Sequence, residues 1–189
     1  MKTCWLDERI AYDGSQLRAH WILAKTGLAG DAAVAFRGPC AVTDTEMADL
    51  EDLGGPGIAA DDMVHLIWEC FSTTDLWLAV HRQRLLSAQA AEVIRHLQSD
   101  VVVARDGDDL YVGKGKLSIS IATVSPVSTL WHFAVNASPG GAPVATATLE
   151  QIGVEPREFG ERLLRRIADE QDSMTIARAK VRAKGEWGA

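Results

Sequence analysis

Apolar positions along this chain change their spacing several times, and each change marks an element. Residues 3–12 mix apolar and charged side chains in a pattern that predicts a short strand or two. Asp13-Gly14-Ser15-Gln16 then offers turn and capping residues, and Leu17, His20, Trp21, Leu23 and Ala24 recur at helical spacing up to a glycine stop at Gly27. Ala32-Ala33-Val34-Ala35-Phe36 reads as a buried strand that delivers Arg37-Gly38-Pro39-Cys40 to a loop. Residues 43–62 carry seven acidic side chains around Gly54-Gly55-Pro56-Gly57, which predicts a solvated connection or a lid. Met63–Phe71 is apolar except for His65 and Glu69, and its length and aromatics favour a strand that puts both polar residues on one face. From Asp75 to Leu97 the positions Leu76, Val80, Leu85, Ala88, Ala91, Val93 and Ile94 have helical spacing behind a Thr74 or Asp75 cap.

The second half is richer in strands. Val101–Ala104 and Leu110–Val112 flank an Asp106-Gly107-Asp108-Asp109 turn, Lys116 opens a run through Val124, and Ser128–Ala137 forms a further strand after the Ser125-Pro126 bend. A last helix or pair of helices spans about 156–184, with Phe159, Leu163, Leu164, Ile167, Met174, Ile176, Ala177 and Val181 as its apolar face. The order predicts an α+β fold: one largely antiparallel sheet backed by helices, in a single domain over 1–189 with the C-terminal helices packing on the sheet. The helix of 75–97 is expected to lie on the strands of 101–104 and 116–124, because its apolar stripe has to be buried.

Composition narrows the function. Nineteen Lys and Arg against 26 Asp and Glu leave a formal charge of −7, the wrong sign for a nucleic-acid or anionic-membrane binder, so the expected partner is a small-molecule substrate. No apolar run approaches the ~20 residues needed to span a bilayer, and the charged N-terminus does not read as a signal peptide. A cytoplasmic protein is expected, its oligomeric state open and a homodimer included. Cys4, Cys40 and Cys70 are too widely spaced for a disulfide framework or a C-x-x-C zinc pair. Of the six tryptophans (5, 21, 68, 77, 131 and 187) five sit in apolar stretches, and most are expected in the core.

Several polar residues stand where they could do chemistry, and each has a plainer reading. Arg37, at the end of a buried strand, suits a carboxylate or phosphate ligand through its planar fork, or equally a salt bridge to the acidic segment. His65 and Glu69, four apart, are read as a polar cleft lining, an acid–base pair or a structural hydrogen-bonded pair, and with no third ligand evident no metal site is assigned. His132, between Trp131 and Phe133, is an acid–base candidate or a satisfied core histidine. Cys40 lacks an evident base that would make it a nucleophile. Asp106, Asp108 and Asp109 form either a cation site or a hairpin turn. The hydroxyls of Ser118 and Ser120 reflect strand propensity or line a ligand face.

Ala35-Phe36-Arg37-Gly38-Pro39-Cys40, Asp61-Asp62-Met63-Val64-His65, Arg82-Gln83-Arg84-Leu85-Leu86 and Lys116-Leu117-Ser118-Ile119-Ser120-Ile121-Ala122-Thr123 together resemble the domain of unknown function 366 family over nearly the whole chain. More distantly, the element order with Arg105–Val112, Lys116–Ser120 and Trp131–Asn136 resembles the catalytic domains of biotin and lipoate protein ligases, which share their fold with class II aminoacyl-tRNA synthetases. That resemblance implies an acyl or adenylyl transferase acting on a carboxylated metabolite, with Lys116 beside the acyl adenylate, Asp109 orienting the site and Asn136 closing the strand that ends in it. It also implies ATP, yet in place of the ligases' glycine-rich, arginine-containing phosphate loop stand only Arg37-Gly38-Pro39-Cys40 and Gly54-Gly55-Pro56-Gly57. A cleft lined by Arg37, Lys116 and His132, with Lys116 and His132 catalytic and Arg37, His65, Glu69, Asp109, Ser118, Ser120 and Asn136 binding substrate, is the leading expectation. The alternatives are a noncatalytic binding protein and a metal-dependent hydrolase built on His65 and Glu69.

Overall fold

A computed structural model describes residues 1–182 and 185. Its elements, in chain order, are β1 (Lys2–Trp5), α1 (Trp21–Thr26), β2 (Ala32–Val42), β3 (Ile58–Cys70), α2 (Leu76–Leu97), β4 (Val103–Asp106), β5 (Asp109–Val112), β6 (Gly115–Lys116), β7 (Ser118–Val124), β8 (Thr129–Asn136) and α3 (Pro156–Lys180). The main sheet has the order β1-β2-β3-β8-β7, with β1–β2 parallel and every other pairing antiparallel, and β4-β5-β6 form a small second sheet. The fold is α+β with a mostly antiparallel sheet, as its periodicities predict.

The two sheet faces are covered differently, and that asymmetry positions the site. Ala33, Ala35, Val64, Leu66, Trp68, Trp131, Phe133 and Val135 alternate onto one face and meet the buried sides of α2 and α3. At its centre Trp68 and Trp131 stack with centroids 4.3 Å apart, and the indole N–H of Trp131 donates to the carbonyl of Ala79 at 2.8 Å, fixing α2 on the sheet. The opposite face presents Val34, Phe36, Met63, His65, Ile67, His132 and Ala134, and is roofed by residues 6–31 rather than by a long helix. That roof runs on from β1 beside β2: the N–H groups of Leu6, Ile10 and Tyr12 donate to the carbonyls of Ala35, Arg37 and Pro39. Gly38 makes this possible, since a Cβ there would be driven into the backbone carbonyl of Ile10.

Several boundaries differ from expectation for identifiable reasons. Arg37-Gly38-Pro39-Cys40 is not a loop; β2 continues to Val42 because Met63 and Ala60 on β3 pair with Gly38 and Cys40, across a register shift that absorbs Pro39. The acidic connection therefore ends at Gly57, and Asp61 and Asp62 lie within β3. Only Trp21–Thr26 of the first helical run is helical, because His20 takes up a left-handed backbone (φ 65°) and commits its N–H to Glu69; Gly27 closes the helix as expected. The last helix is single and ends at Lys180, the expected residues 183 and 184 lying outside the described residues. Phe159, Leu163, Leu164 and Ile167 are buried as predicted, whereas Ile176 and Val181 are exposed, since the helix by then has run beyond the sheet. Of the tryptophans, Trp68 and Trp131 are buried, Trp5 and Trp21 half-buried, and Trp77 is 73% exposed on the first turn of α2. Trp187 lies outside the described residues. Among the described residues no helix is long and apolar enough to cross a membrane.

Candidate functional site

On the roofed face an opening lies where residues 6–31 give out and the 43–57 connection arches over the sheet. Two adjoining cavities occupy it. The larger, about 350 Å³, is floored by Ile58, Met63, Ile119 and Asn136 and rimmed by Asp49, Asp52, Asp108, Asp109 and Lys116. The smaller, about 60 Å³, shares Asp49, Asp52, Ile58 and Ile119 and ends on Tyr12 and His132. Strand alternation puts Ile119, His132 and Asn136 on this face, because β7 and β8 pair Ile119 with Ala134 and Ile121 with His132.

Lys116 enters from the small sheet. Its backbone is locked by exchange with the 145–147 segment, its N–H donating to the carbonyl of Ala145 and its carbonyl accepting from Ala147. The half-buried ammonium meets Asp109 at 2.8 Å. Burial pushes the lysine pKa down, but the Asp109 carboxylate outweighs it and raises the group above its ordinary value, so Lys116 is a permanent cation. Asp109 and Lys116 thus stand together, and Asn136 donates its amide N–H to the carbonyl of Lys116 at 3.1 Å. Asp108 is held from outside the cavity by Arg84 and by the amide of Gln83, the latter also donating to Ser120 Oγ at 2.7 Å.

The histidines form a different kind of unit. His65 Nε2 lies 3.1 Å from the carbonyl of Gly38, which can only accept, so this nitrogen carries the proton. His65 Nδ1 must then accept, and His132 Nε2–H donates to it at 3.0 Å. Burial depresses both rings, His65 to about 4 and His132 well below its ordinary value, where the neighbouring His65 adds to the effect. Both are neutral near pH 7, with Tyr12 stacked on His132 at 3.6 Å and Phe36 on His65 at 5.1 Å. His132 reaches the cavity; His65 lies behind it.

Other expected site residues lie elsewhere. Arg37 alternates onto the helix-covered face, in register with Val64, and its guanidinium grips Asp62 at 2.5 and 2.9 Å while Arg9 holds the same carboxylate at 3.0 Å. It therefore cannot share a cleft with His132. Glu69 is on the correct face but four residues of strand, ~13 Å, from His65, and its buried carboxylate accepts the N–H of His20 at 3.0 Å and the hydroxyl of Ser128 at 2.7 Å. The two do not form an acid–base or metal pair. Ser118 faces the helices, its oxygen accepting the N–H of Leu110 at 2.9 Å. Asp106 and Asp109 pair across a two-residue hairpin turn, which is the plainer reading of that acidic run. Cys40 is buried and its thiol is pushed up to about 12, which removes it as a nucleophile. Tyr12, Met63 and Ile119 line the cavities without having been expected there; Tyr12 carried no local signal, while Ile119 was legible as the residue alternating with Ser118 and Ser120.

A model of the family described as Domain of unknown function (DUF366) matches residues 1–182. An uncharacterized protein of Methanocaldococcus jannaschii is 33% identical over 161 residues, spanning 82% of this chain and 72% of its own. A solved protein of unknown function from Pyrococcus horikoshi is similar over the whole of both chains, with 41% identity and a TM-score of 0.90. Biotin protein ligase from Aquifex aeolicus, in complex with biotin and ATP, has a TM-score of 0.60 at 14% identity, covering 92% of this chain and 71% of that one. A T. acidophilum protein named as a lipoate protein ligase candidate, with lipoic acid bound, has a TM-score of 0.59 at 14% identity over 91% and 87%. At such identities the ligases share the fold and no more, whereas the family match and the two closer relatives show that the chain belongs to the Domain of unknown function (DUF366) family.

Proposed function

We propose that the protein binds a small carboxylated metabolite in the cleft over β3, β8 and β7 and, from its already activated ester or thioester, transfers the acyl group to an acceptor nucleophile with the alcohol or thiol as leaving group, acting in the cytoplasm. The observation that carries this reading is Lys116: a permanent cation, fixed by backbone exchange and by Asp109, at the rim of a cavity of about 350 Å³ in a ligase-like fold. An ammonium so held stabilises the negative charge that grows on an acyl oxygen as a nucleophile adds to its carbonyl. His132, neutral and able to accept a proton at Nδ1, is the acid–base candidate within the same pair of cavities.

The lining does not fit a nucleotide triphosphate. Its basic residue, Lys116, is already paired, while Glu46, Asp49, Asp52, Asp108 and Asp109 bring carboxylates to the same walls, so a polyanion would enter a repulsive field. No adenylation step is therefore assigned. The same acidic lining favours one second reading, a binding protein without chemistry.

Equilibrium dialysis of a metabolite pool against the protein, followed by mass spectrometry of what is retained and what is converted, tests both. Retention of a carboxylated compound that Lys116→Ala releases supports the cleft reading. Conversion that falls about 10²-fold or more in the same variant, with the melting temperature unchanged, supports acyl transfer. Retention without conversion leaves the binding protein, and retention indifferent to Lys116→Ala overturns the role of this lysine.

A further inference from the structure

The walls of the cleft say more about its ligand than Lys116 does. Asp108 is matched by Arg84 and Asp109 by Lys116, but Glu46, Asp49 and Asp52, all on the 43–57 connection, have no cationic partner among the described residues. These three exposed carboxylates give the mouth of that cavity a negative field that favours a positive ligand.

Two acceptor atoms on largely buried side chains point the same way independently of those charges. His132 is 3% exposed and Asn136 6%, and each lines one of the adjoining cavities. With His132 Nε2–H committed to His65, its Nδ1 carries a lone pair; with the Asn136 amide N–H committed to the carbonyl of Lys116, its Oδ1 is free. Neither atom has a donor among the described residues, and neither is sealed from solvent, so each is open to a donor that enters the cavity. A ligand that supplies N–H groups completes both. The floor between them, Ile58, Met63 and Ile119, is apolar.

We infer that the ligand of this cleft carries a positive nitrogen, an ammonium or guanidinium on an alkyl stem, held between the carboxylates of the 43–57 connection and bonded to His132 Nδ1 or Asn136 Oδ1. This rests on the proposed cleft and deepens it: a carboxyl end at Lys116 and a cationic end under Glu46, Asp49 and Asp52 describe an amino-acid-like metabolite. The stem lies on the isoleucine and methionine floor.

Three probes of similar length separate the charges: cadaverine with two ammonium groups, ε-aminocaproate with one ammonium and one carboxylate, and adipate with two carboxylates. Calorimetric titration gives their affinities, and amide NMR shifts of Ile58 and Ile119 report whether they enter the cleft. Cadaverine and ε-aminocaproate are expected to bind there at least about tenfold more tightly than adipate, and Asp49→Asn with Asp52→Asn is expected to weaken cadaverine about tenfold without changing the melting temperature. Higher ionic strength should weaken it as well. Adipate binding as tightly in the cleft, and released by Lys116→Ala, overturns the cationic ligand while leaving the carboxylate site of the proposed function standing. Failure of both ammonium probes to shift Ile58 and Ile119, or binding indifferent to the two asparagine substitutions, also overturns it.

Discussion

Acidification tests the buried histidine pair directly. In the unfolded chain an imidazole has its ordinary value of 6.5, whereas His65 in the fold is held at about 4, chiefly by burial. A base whose folded pKa is depressed stabilises the fold fully above its unfolded pKa, and that contribution is lost as pH falls below it. Between pH 7 and pH 5 the unfolded imidazole takes up about three quarters of a proton and folded His65 hardly any, so stability falls by about 2 kcal/mol from this group alone. His132, also depressed by burial and by its neighbour, adds a loss of the same sign. Urea denaturation at the two pH values measures the total, and His65→Phe isolates one part. The variant starts less stable at pH 7, by ~1–3 kcal/mol for each partner left unsatisfied at the Gly38 carbonyl and the His132 N–H. Its further loss on going to pH 5 should nonetheless be about 2 kcal/mol smaller than in the parent. Should the variant fail to fold, imidazole NMR of the parent gives the answer: both rings should remain neutral down to pH 5. Titration of either ring near 6 in the folded protein, or equal losses in parent and variant, would refute the argument.

Other outcomes follow from the same packing. Gly38→Ala should cost at least about 2 kcal/mol in denaturant unfolding, because the new methyl group strikes the carbonyl of Ile10 and must push the roof off β2; unchanged stability would mean that the roof is not seated there. Glu69→Ala should cost about 2–4 kcal/mol, since the His20 N–H and the Ser128 hydroxyl both lose their acceptor inside the protein, and thermal unfolding with little change in the midpoint would contradict this. Cys40 should resist a thiol-specific reagent in the native protein and react once urea is added, given its burial and its thiol held at about 12; rapid native labelling mapped to Cys40 by mass spectrometry would count against it.

The architecture was legible because its cues are local. Alternation in β3 and β8, the Asp75 cap of α2 and the hairpin turn at Gly107 are each written within a few residues. What misled was decided by distant partners. Nothing in Arg37-Gly38-Pro39-Cys40 says that β3 will extend it as a strand, or that Asp62 on the neighbouring strand will claim Arg37 on the far face. Spacing placed His65 and Glu69 on one face correctly, but four residues of strand also set them ~13 Å apart, too far to act as a pair, and their partners come from β8, from Gly38 and from the residues around His20 and Ser128. Lys116 and Asp109 could be paired only through the ligase resemblance, whereas the stacking of Tyr12 on His132 had no sequence cue, because it depends on a roof strand running parallel to β2.

The strand order β1-β2-β3-β8-β7 also sets a timetable for synthesis. β3 leaves the ribosome with β2 ready on one side, but its other edge has to wait for β8, made only after α2 and the small hairpin sheet have intervened. Throughout that interval a long, largely buried strand, with Met63, Ile67 and Trp68 along it, has an open edge of unpaired N–H and carbonyl groups, the arrangement that recruits foreign strands. Arrival of β8 closes the edge and joins His132 to His65 in one event. A nascent chain stalled before residue 129 should therefore be the species that chaperones hold and that aggregates, while one released past residue 136 already contains the buried polar pair at the back of its cleft.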